Sequence, residues 1–173
     1  MRKMARSDVL ISGMRGLGVE IAKNVILGGV KSVTIHDEGV IELGDLSSQF
    51  YASEKDVGKN RATVSAPLLG ELNKNVPVNP FTGKLTPDFI SKFRVIVLTS
   101  STLEEQLWIS DLTHRQNQPL IVASTRGLFG QVSYYTIPYW YLCRLLYNPL
   151  SVLMLIIMQS PMNTCGCSPI GFL

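Results

Sequence analysis

Short apolar runs and amphipathic stretches alternate along the first two thirds of the chain. Val9, Leu10 and Ile11 form an unbroken apolar run, which is typical of a strand buried on both faces. Over residues 17–27 the apolar positions recur at helical spacing, and strand character resumes over 32–36. This unit predicts two parallel strands joined by a right-handed helical crossover.

The alternation of strands and helices continues to residue 123. Thr86 and Pro87 form an N-cap followed by proline at the first helical position, and Ser101 and Thr102 each precede a glutamate by three residues. Helices are therefore predicted over 60–72, 87–92 and 102–117, and strands over 76–78, 95–98 and 120–123. This order favours an α/β fold, a Rossmann-like doubly wound, mostly parallel sheet.

Charge divides the chain into two segments. Lys and Arg number 16 against 13 Asp and Glu, yet Arg144 is the one charged residue after residue 131. We therefore predict a body over 1–131 and a divergent, irregular, apolar tail over 132–173. All three cysteines lie in the tail, so the body can hold no disulfide, thiolate metal site or cysteine nucleophile.

The composition excludes several classes of protein. With 46% hydrophobic residues the chain is not disordered, and a net charge of +3 with both signs interspersed predicts no nucleic-acid partner. The apolar run after the basic N-terminus is too short for a signal peptide. We therefore expect a cytoplasmic or nuclear protein, with a membrane location as the alternative.

A glycine-rich loop lies between the first strand and its helix, where open α/β sheets bind phosphate. It contains Gly13, Gly16 and Gly18, but Arg15 stands where the dinucleotide fingerprint has its middle glycine. A phosphate seated there would meet a Cβ atom. The loop is thus a degenerate nucleotide loop, and the pattern favours glycines kept for a tight turn over nucleotide binding.

Two residues at the end of the second strand are candidates for function. Asp37 lies where a ribose-binding carboxylate is expected, roughly 20 residues beyond the loop, and its alternative is a solvated acid at a strand end. Together with the loop it leaves open a nucleotide- or NAD-binding oxidoreductase-type domain. His36 has no second ligand nearby and is interpreted as structural.

Several motifs in the body resemble the N-terminal, inactive adenylation half of eukaryotic ubiquitin-activating enzymes. They occur in order and at family spacing: the glycine loop within 7–31, Asp45-Leu-Ser-Ser-Gln-Phe50, Gly58-Lys-Asn-Arg-Ala62 and Thr125-Arg-Gly-Leu-Phe-Gly-Gln131. The resemblance implies a ThiF-type, NAD/FAD-binding-like adenylation fold. It also implies two partners: an active half, which adenylates the C-terminus of ubiquitin or a ubiquitin-like protein with Mg-ATP, and that protein itself.

The same resemblance implies that this half is catalytically silent. Where an active half has a phosphate-binding arginine, this chain has Ser48. Where an active half has a magnesium-binding aspartate, this chain has Thr99, Ser100 and Ser101. The second aspartate of the strand-end pair is replaced by Gly39. Losing one such group commonly costs on the order of 100-fold in rate. We expect no metal site and no cofactor bound by this chain, because ATP and Mg belong to the active half.

The tail departs from the family pattern after Gln131. A strand over 132–137 is still allowed by alternation, and we expect a truncated homologue whose tail comes from intron read-through or a frame change. The alternative is a membrane anchor over 137–158, whose length approaches the roughly 20 residues that a crossing needs. Arg144 would lie inside that span, at a cost of roughly 2.5 to 3.5 kcal/mol at the bilayer centre.

Overall fold

A seven-stranded sheet organises the chain. The computed structural model describes residues 4–136 and 139–141. The strands are β1 (Asp8–Ser12), β2 (Ser32–His36), β3 (Val78–Phe81), β4 (Val95–Thr99), β5 (Leu120–Arg126), β6 (Phe129–Thr136) and β7 (Tyr139–Tyr141). The helices are α1 (Gly16–Leu27), α2 (Arg61–Leu72), α3 (Pro87–Ile90) and α4 (Leu103–Gln116), with 3-10 turns at Met4–Arg6, Leu43–Ser47 and Glu54–Asp56.

The strand order is β3-β2-β1-β4-β5-β6-β7. The first five strands in this order are parallel, with Val9 of β1 opposite Val33 of β2 on one side and Val95 of β4 on the other. β6 and β7 then add antiparallel to β5. The predicted α/β class with a mostly parallel, Rossmann-like sheet is confirmed.

Alternate residues of the central strands enter two separate apolar cores. Val9 and Ile11 pack with residues of α1 and α2, whereas Leu10 on the other face of β1 packs with Ile90 and Ile109. A central strand that faces helices on both sides must be apolar at every position. This explains the unbroken apolar runs of β1 and β4.

Most predicted elements lie where the pattern placed them, and the ends differ. Two capping boxes were possible at the start of α4, Ser101 with Glu104 and Thr102 with Glu105. The described capping interactions contain the second, between Thr102 and Glu105. Gly29 adopts a φ of +74° after α1, as expected for a glycine that ends a helix. The helix predicted to residue 92 ends at Ile90, where the chain turns into β4.

The strand predicted over 76–78 lies instead at Val78–Phe81. Val76 is buried by a turn in which its N–H donates to the carbonyl of Asn73. Pro80 lies within β3. Because proline has no N–H to donate to a sheet ladder, the sequence pattern did not predict a strand at this residue. β3 ends the described sheet, and an edge strand tolerates proline.

β6 crosses the predicted boundary at residue 131. It pairs with β5 from Phe129 to Tyr135, so the strand predicted over 132–137 is confirmed as far as Thr136. Of residues 137–158, the alternative membrane anchor, residues 139–141 form β7 and the others lie outside the described residues. Within residues 4–136 and 139–141, the helices are all too short or too polar to cross a bilayer.

Candidate functional site

The glycine loop makes a turn so tight that two of its glycines are sterically required. Gly13 has a φ of +94°, and a Cβ atom on it would lie 2.1 Å from the carbonyl oxygen of Thr99. A Cβ atom on Gly18 would lie 1.7 Å from the carbonyl oxygen of Gly13. The predicted role of these glycines in a tight turn and close helix packing is therefore borne out by the geometry.

Gly16 and Arg15 complete the loop. Gly16 begins α1, and a Cβ atom on it would lie 2.8 Å from the Ser48 side chain. Arg15 occupies the N-cap position of α1 with an exposed side chain, and its Nε lies 3.8 Å from Asp45 Oδ1. The loop thus keeps a side chain where the dinucleotide fingerprint has none.

The carboxylate of Asp37 is turned toward the glycine loop. The backbone N–H of Met14 donates to Asp37 Oδ2 at 2.7 Å, and that of Gly39 donates to Asp37 Oδ1 at 2.7 Å. The side chain is only 11% exposed. The alternative of a solvated strand-end acid is therefore wrong: both carboxylate oxygens bind groups of the protein itself.

Arg61, the first residue of α2, is buried among three carboxylates. Its Nε donates to Asp45 Oδ2 at 2.7 Å, its Nη1 lies 3.4 Å from Asp37 Oδ1, and its Nη2 lies 3.6 Å from Glu42 Oε1. The residue is 4% exposed. A buried guanidinium is tolerated only when it is paired in this way, so we call Arg61, Asp37 and Asp45 the buried ion-pair cluster.

The pKa of Asp45 reflects its two kinds of surroundings. Burial raises the pKa of this carboxyl, but the backbone N–H of Glu42 and the Arg61 guanidinium hydrogen bond to the carboxylate, and the net pKa is below its ordinary value. Asp45 is thus ionised at neutral pH and remains a partner for Arg61.

Gly39 packs closely against the guanidinium of Arg61 at the end of β2, so a side chain here would displace that guanidinium. A Cβ atom on Gly39 would lie 2.2 Å from Arg61 Nη1. The resemblance assigns a carboxylate to this position in active halves, and here the guanidinium of Arg61 fills the space. The side-chain amide of Asn60 donates to the carbonyls of Asp37 and Gly39 and holds the segment in place.

Two further side chains hydrogen bond to backbone carbonyls of the loop and its preceding strand. The buried amide of Gln49 donates to the carbonyl of Met14 at 2.9 Å and to the hydroxyl of Ser65 at 3.0 Å. The hydroxyl of Thr99 lies 2.7 Å from the carbonyl of Gly13 and 3.0 Å from that of Ser12. Thr99 is one of the three residues among which the resemblance places a magnesium-binding aspartate, and here its hydroxyl binds the chain's own backbone.

His36 is structural, as predicted. Its Nε2 lies 2.9 Å from the carbonyl of Gly83, which can only accept, so Nε2 carries the proton and Nδ1 accepts from the Ser12 hydroxyl at 2.9 Å. Burial lowers the pKa of this imidazole, against the opposing effect of its bond to Gly83 and of nearby carboxylates. The ring is thus neutral at pH 7.

The sequence analysis predicted one site formed by the glycine loop and the end of the second strand. The structure places its residues together: Gly13, Arg15, Gly16, Gly18 and Asp37. The roles of Asp45, Gln49, Asn60 and Thr99 as loop supports were not predicted. Local indications existed for two of them: the spacing of Asp45 from Glu42 is that of a capping box, and Asn60 is a preferred N-cap residue at the start of α2.

Polar groups at the loop are partnered within the protein. The loop N–H of Met14 is bonded to a carboxylate, and Arg61 is paired with aspartates. Within residues 4–136 and 139–141, no group of three or more His, Cys, Asp or Glu side chains is placed to bind a metal ion.

Comparison with known proteins agrees with this architecture. A model of the ThiF family matches residues 1–146. Over 132 residues the chain is 58% identical to "Ubiquitin-like modifier-activating enzyme 1" of Homo sapiens and 60% identical to that of Rattus norvegicus. It is 54% identical over 134 residues to "Ubiquitin-activating enzyme E1 2" of Arabidopsis thaliana.

These matches cover 76% of this chain but 12% of the length of each of these relatives. The relatives are therefore much longer proteins, of which this chain resembles one part. The family match covers most of the chain, including the glycine loop, the buried ion-pair cluster and the antiparallel strands. The chain belongs to the ThiF family and is similar to the ubiquitin-activating enzymes within it.

Proposed function

We propose that this chain serves as a catalytically silent adenylation-type half. It supports an active half in the ATP-dependent activation of ubiquitin or a ubiquitin-like protein, and binds no nucleotide itself. The observation that carries the proposal is the bond from the Met14 N–H to the Asp37 carboxylate. This internal anion occupies the loop donor that a phosphate would need.

The charge beneath the loop supports the same proposal. Adenylation requires cations to neutralise the departing pyrophosphate. Arg61 pairs with Asp37, which binds the loop, and it is buried between Asp37 and Asp45. Releasing it toward a ligand would leave two buried carboxylates without their partner, which is costly.

The partners follow from the similarity to ubiquitin-activating enzymes. We propose that they are an active adenylation half and, through it, ubiquitin or a ubiquitin-like protein. A location in the cytoplasm or nucleus accords with such a role.

A nucleotide- or NAD-binding oxidoreductase remains the competing function and has less support. Ribose recognition needs a free carboxylate at the end of β2. Both oxygens of Asp37 accept hydrogen bonds from the backbone and Oδ1 also lies 3.4 Å from Arg61 Nη1, so the remaining lone pair of Oδ2 is the place left for a ribose hydroxyl.

An exchange assay tests the proposed function. The chain, ubiquitin, Mg-ATP and labelled pyrophosphate are incubated, with a complete ubiquitin-activating enzyme as the positive control. We expect exchange at the level of a buffer blank. Exchange well above the blank would refute catalytic silence.

Calorimetric titrations with Mg-ATP and with NAD separate the competing function from this one. We expect no binding tighter than about millimolar, which corresponds to roughly 4 kcal/mol of binding free energy. Tighter NAD binding without exchange would favour the oxidoreductase.

A further inference from the structure

A cavity of about 360 Å³ opens at the carboxyl ends of β1, β2 and β4. It lies on the face of the sheet opposite α1, and its floor includes Leu98 and Ile109 of the second apolar core. β1 and β4 flank the point at which the strand order reverses. Open α/β sheets bind their ligands in the crevice at this point.

The charged groups that line the cavity favour a cation. Glu38 and Glu105 contribute carboxylates, and Lys84 contributes one ammonium group. His36 also lines the cavity, but burial lowers the pKa of its imidazole, so it adds no positive charge at neutral pH. The balance is negative, which disfavours a phosphate and favours a basic group.

Two uncharged groups define what kind of cation fits. The hydroxyl oxygen of Ser101 is buried at the cavity and has no hydrogen-bond partner among the described residues. Trp108 lines the cavity with an aromatic ring that remains 42% exposed. A planar guanidinium can donate to the carboxylates and to a hydroxyl while it stacks on an indole.

The surface beside the cavity is apolar. Leu103 and Leu107 lie one helical turn apart on α4 and are 70% and 59% exposed. Trp108, which lines the cavity, directly follows Leu107, so Leu107 is the exposed leucine that a ligand passing over Trp108 can reach around the helix. Such a ligand must join a basic group to an apolar group, as a polypeptide segment does.

We propose that this cavity binds an arginine side chain of a partner polypeptide, whose neighbouring apolar residue passes Trp108 and contacts Leu107. Glu38 and Glu105 attract the guanidinium, Ser101 accepts a hydrogen bond from it, and Trp108 stacks on it. This site does not use the Met14 N–H or Arg61. The inference therefore stands or falls independently of the proposed catalytic silence.

Titrations of the ¹⁵N-labelled full chain test the proposal by NMR. The probes are N-acetyl-arginine amide, the neutral isostere N-acetyl-citrulline amide, and acetyl-arginyl-leucine amide. We expect the arginine probe to shift the amide signals of Ser101 and Glu105 and the indole N–H signal of Trp108. The citrulline probe should bind at least about threefold more weakly, and the leucine-containing probe more tightly than the arginine amide.

Charge-neutral variants sharpen the test. Glu38→Gln and Glu105→Gln should each weaken the arginine probe by about threefold. Glutamine at 105 can still cap α4, so the fold is retained. Glu104→Gln is the matched control, because Glu104 is exposed on the same helical turn and does not line the cavity.

Three results would overturn the proposal. The first is an absence of shifts at Ser101, Glu105 and Trp108 with the arginine probe. The second is equal binding of arginine and citrulline, or equal weakening by Glu104→Gln. The third is that Mg-ATP, titrated into the labelled chain as a further probe, shifts these signals whereas the arginine probe does not.

Discussion

The backbone N–H of Met14 and the carboxylate of Asp37 are joined by a 2.7 Å hydrogen bond that links the glycine loop to the end of β2. The loop N–H groups ahead of a helix form an anion-binding position in many α/β proteins. Here the anion is a side chain 23 residues further along the same chain. The position that elsewhere receives a ligand thus contributes to the stability of the fold.

Asp37→Ala should destabilise the protein by about 2 to 4 kcal/mol, measured by urea unfolding at neutral pH. The substitution removes the acceptor of two backbone N–H groups and one of the carboxylates that pair with the buried Arg61. Glu71→Ala is the control, since Glu71 is exposed on α2 and should change the unfolding free energy by less than about 0.5 kcal/mol. Equal effects of the two substitutions would contradict a structural role for Asp37.

The elements that follow local periodicity could be predicted from the sequence. β1, α1, β2 and β4 lie where the apolar pattern places them because their burial depends on spacing within each segment. The strand predicted over 76–78 lies at β3 instead for two reasons. Val76 is buried in a turn and not in a strand, and Pro80 is tolerated in β3 because this strand is at the edge of the sheet. Neither cause can be read from neighbouring residues.

The site could be located from the sequence, but its internal bonds could not. Asp37 was placed near the loop by its distance from the glycines. Its partner Met14 and the contact between Thr99 and Gly13, 86 residues apart, depend on which strands become neighbours. The alternative of a solvated strand-end acid was wrong because a backbone N–H and a buried guanidinium both lay within reach of Asp37.

Gly18→Ala and Gly70→Ala should change stability in opposite directions. A Cβ atom at residue 18 would lie 1.7 Å from a backbone oxygen, which cannot move without opening the loop, so a loss of more than about 3 kcal/mol is expected. Gly70 lies within α2 and a Cβ atom there meets nothing within 4 Å. Alanine at 70 should stabilise by about 0.5 to 1 kcal/mol, since glycine is a poor helix former.

Thermal and urea unfolding of both glycine variants measure this contrast. A stable Gly18→Ala protein with an unchanged midpoint would show that the loop is not packed as described. Destabilisation by Gly70→Ala would mean that the surface of α2 is covered at this point.

Stability should fall in acid partly because of Asp45. Hydrogen bonds from the Glu42 N–H and Arg61 hold its folded-state pKa below the ordinary value, against the opposing effect of burial. A lowered folded-state pKa means that the unfolded chain takes up the proton first, so this contribution is complete above about pH 4 and is lost as the pH falls further.

Unfolding free energies of the wild type and Asp45→Asn, measured from about pH 7 to about pH 3, test this dependence. The variant should be less stable at neutral pH because its ion pair with Arg61 is gone, and its stability should decline less steeply in acid. Glu71→Gln is the control and should follow the wild-type curve. Parallel curves for Asp45→Asn and the wild type would exclude Asp45 as a source of the acid sensitivity.

A separate loss of stability should begin nearer neutrality and depend on His36. Burial lowers the pKa of its imidazole in the folded state, so the unfolded chain binds a proton first as the pH falls below about 6.5. The slope of unfolding free energy against pH cannot exceed about 1.4 kcal/mol per pH unit for one group.

His36→Gln, which can still donate to the Gly83 carbonyl, should remove this slope between about pH 6.5 and about pH 5. His114→Gln, which changes the chain's other histidine, should retain it. If the slope persists in His36→Gln and disappears in His114→Gln, the buried imidazole is not the titrating group.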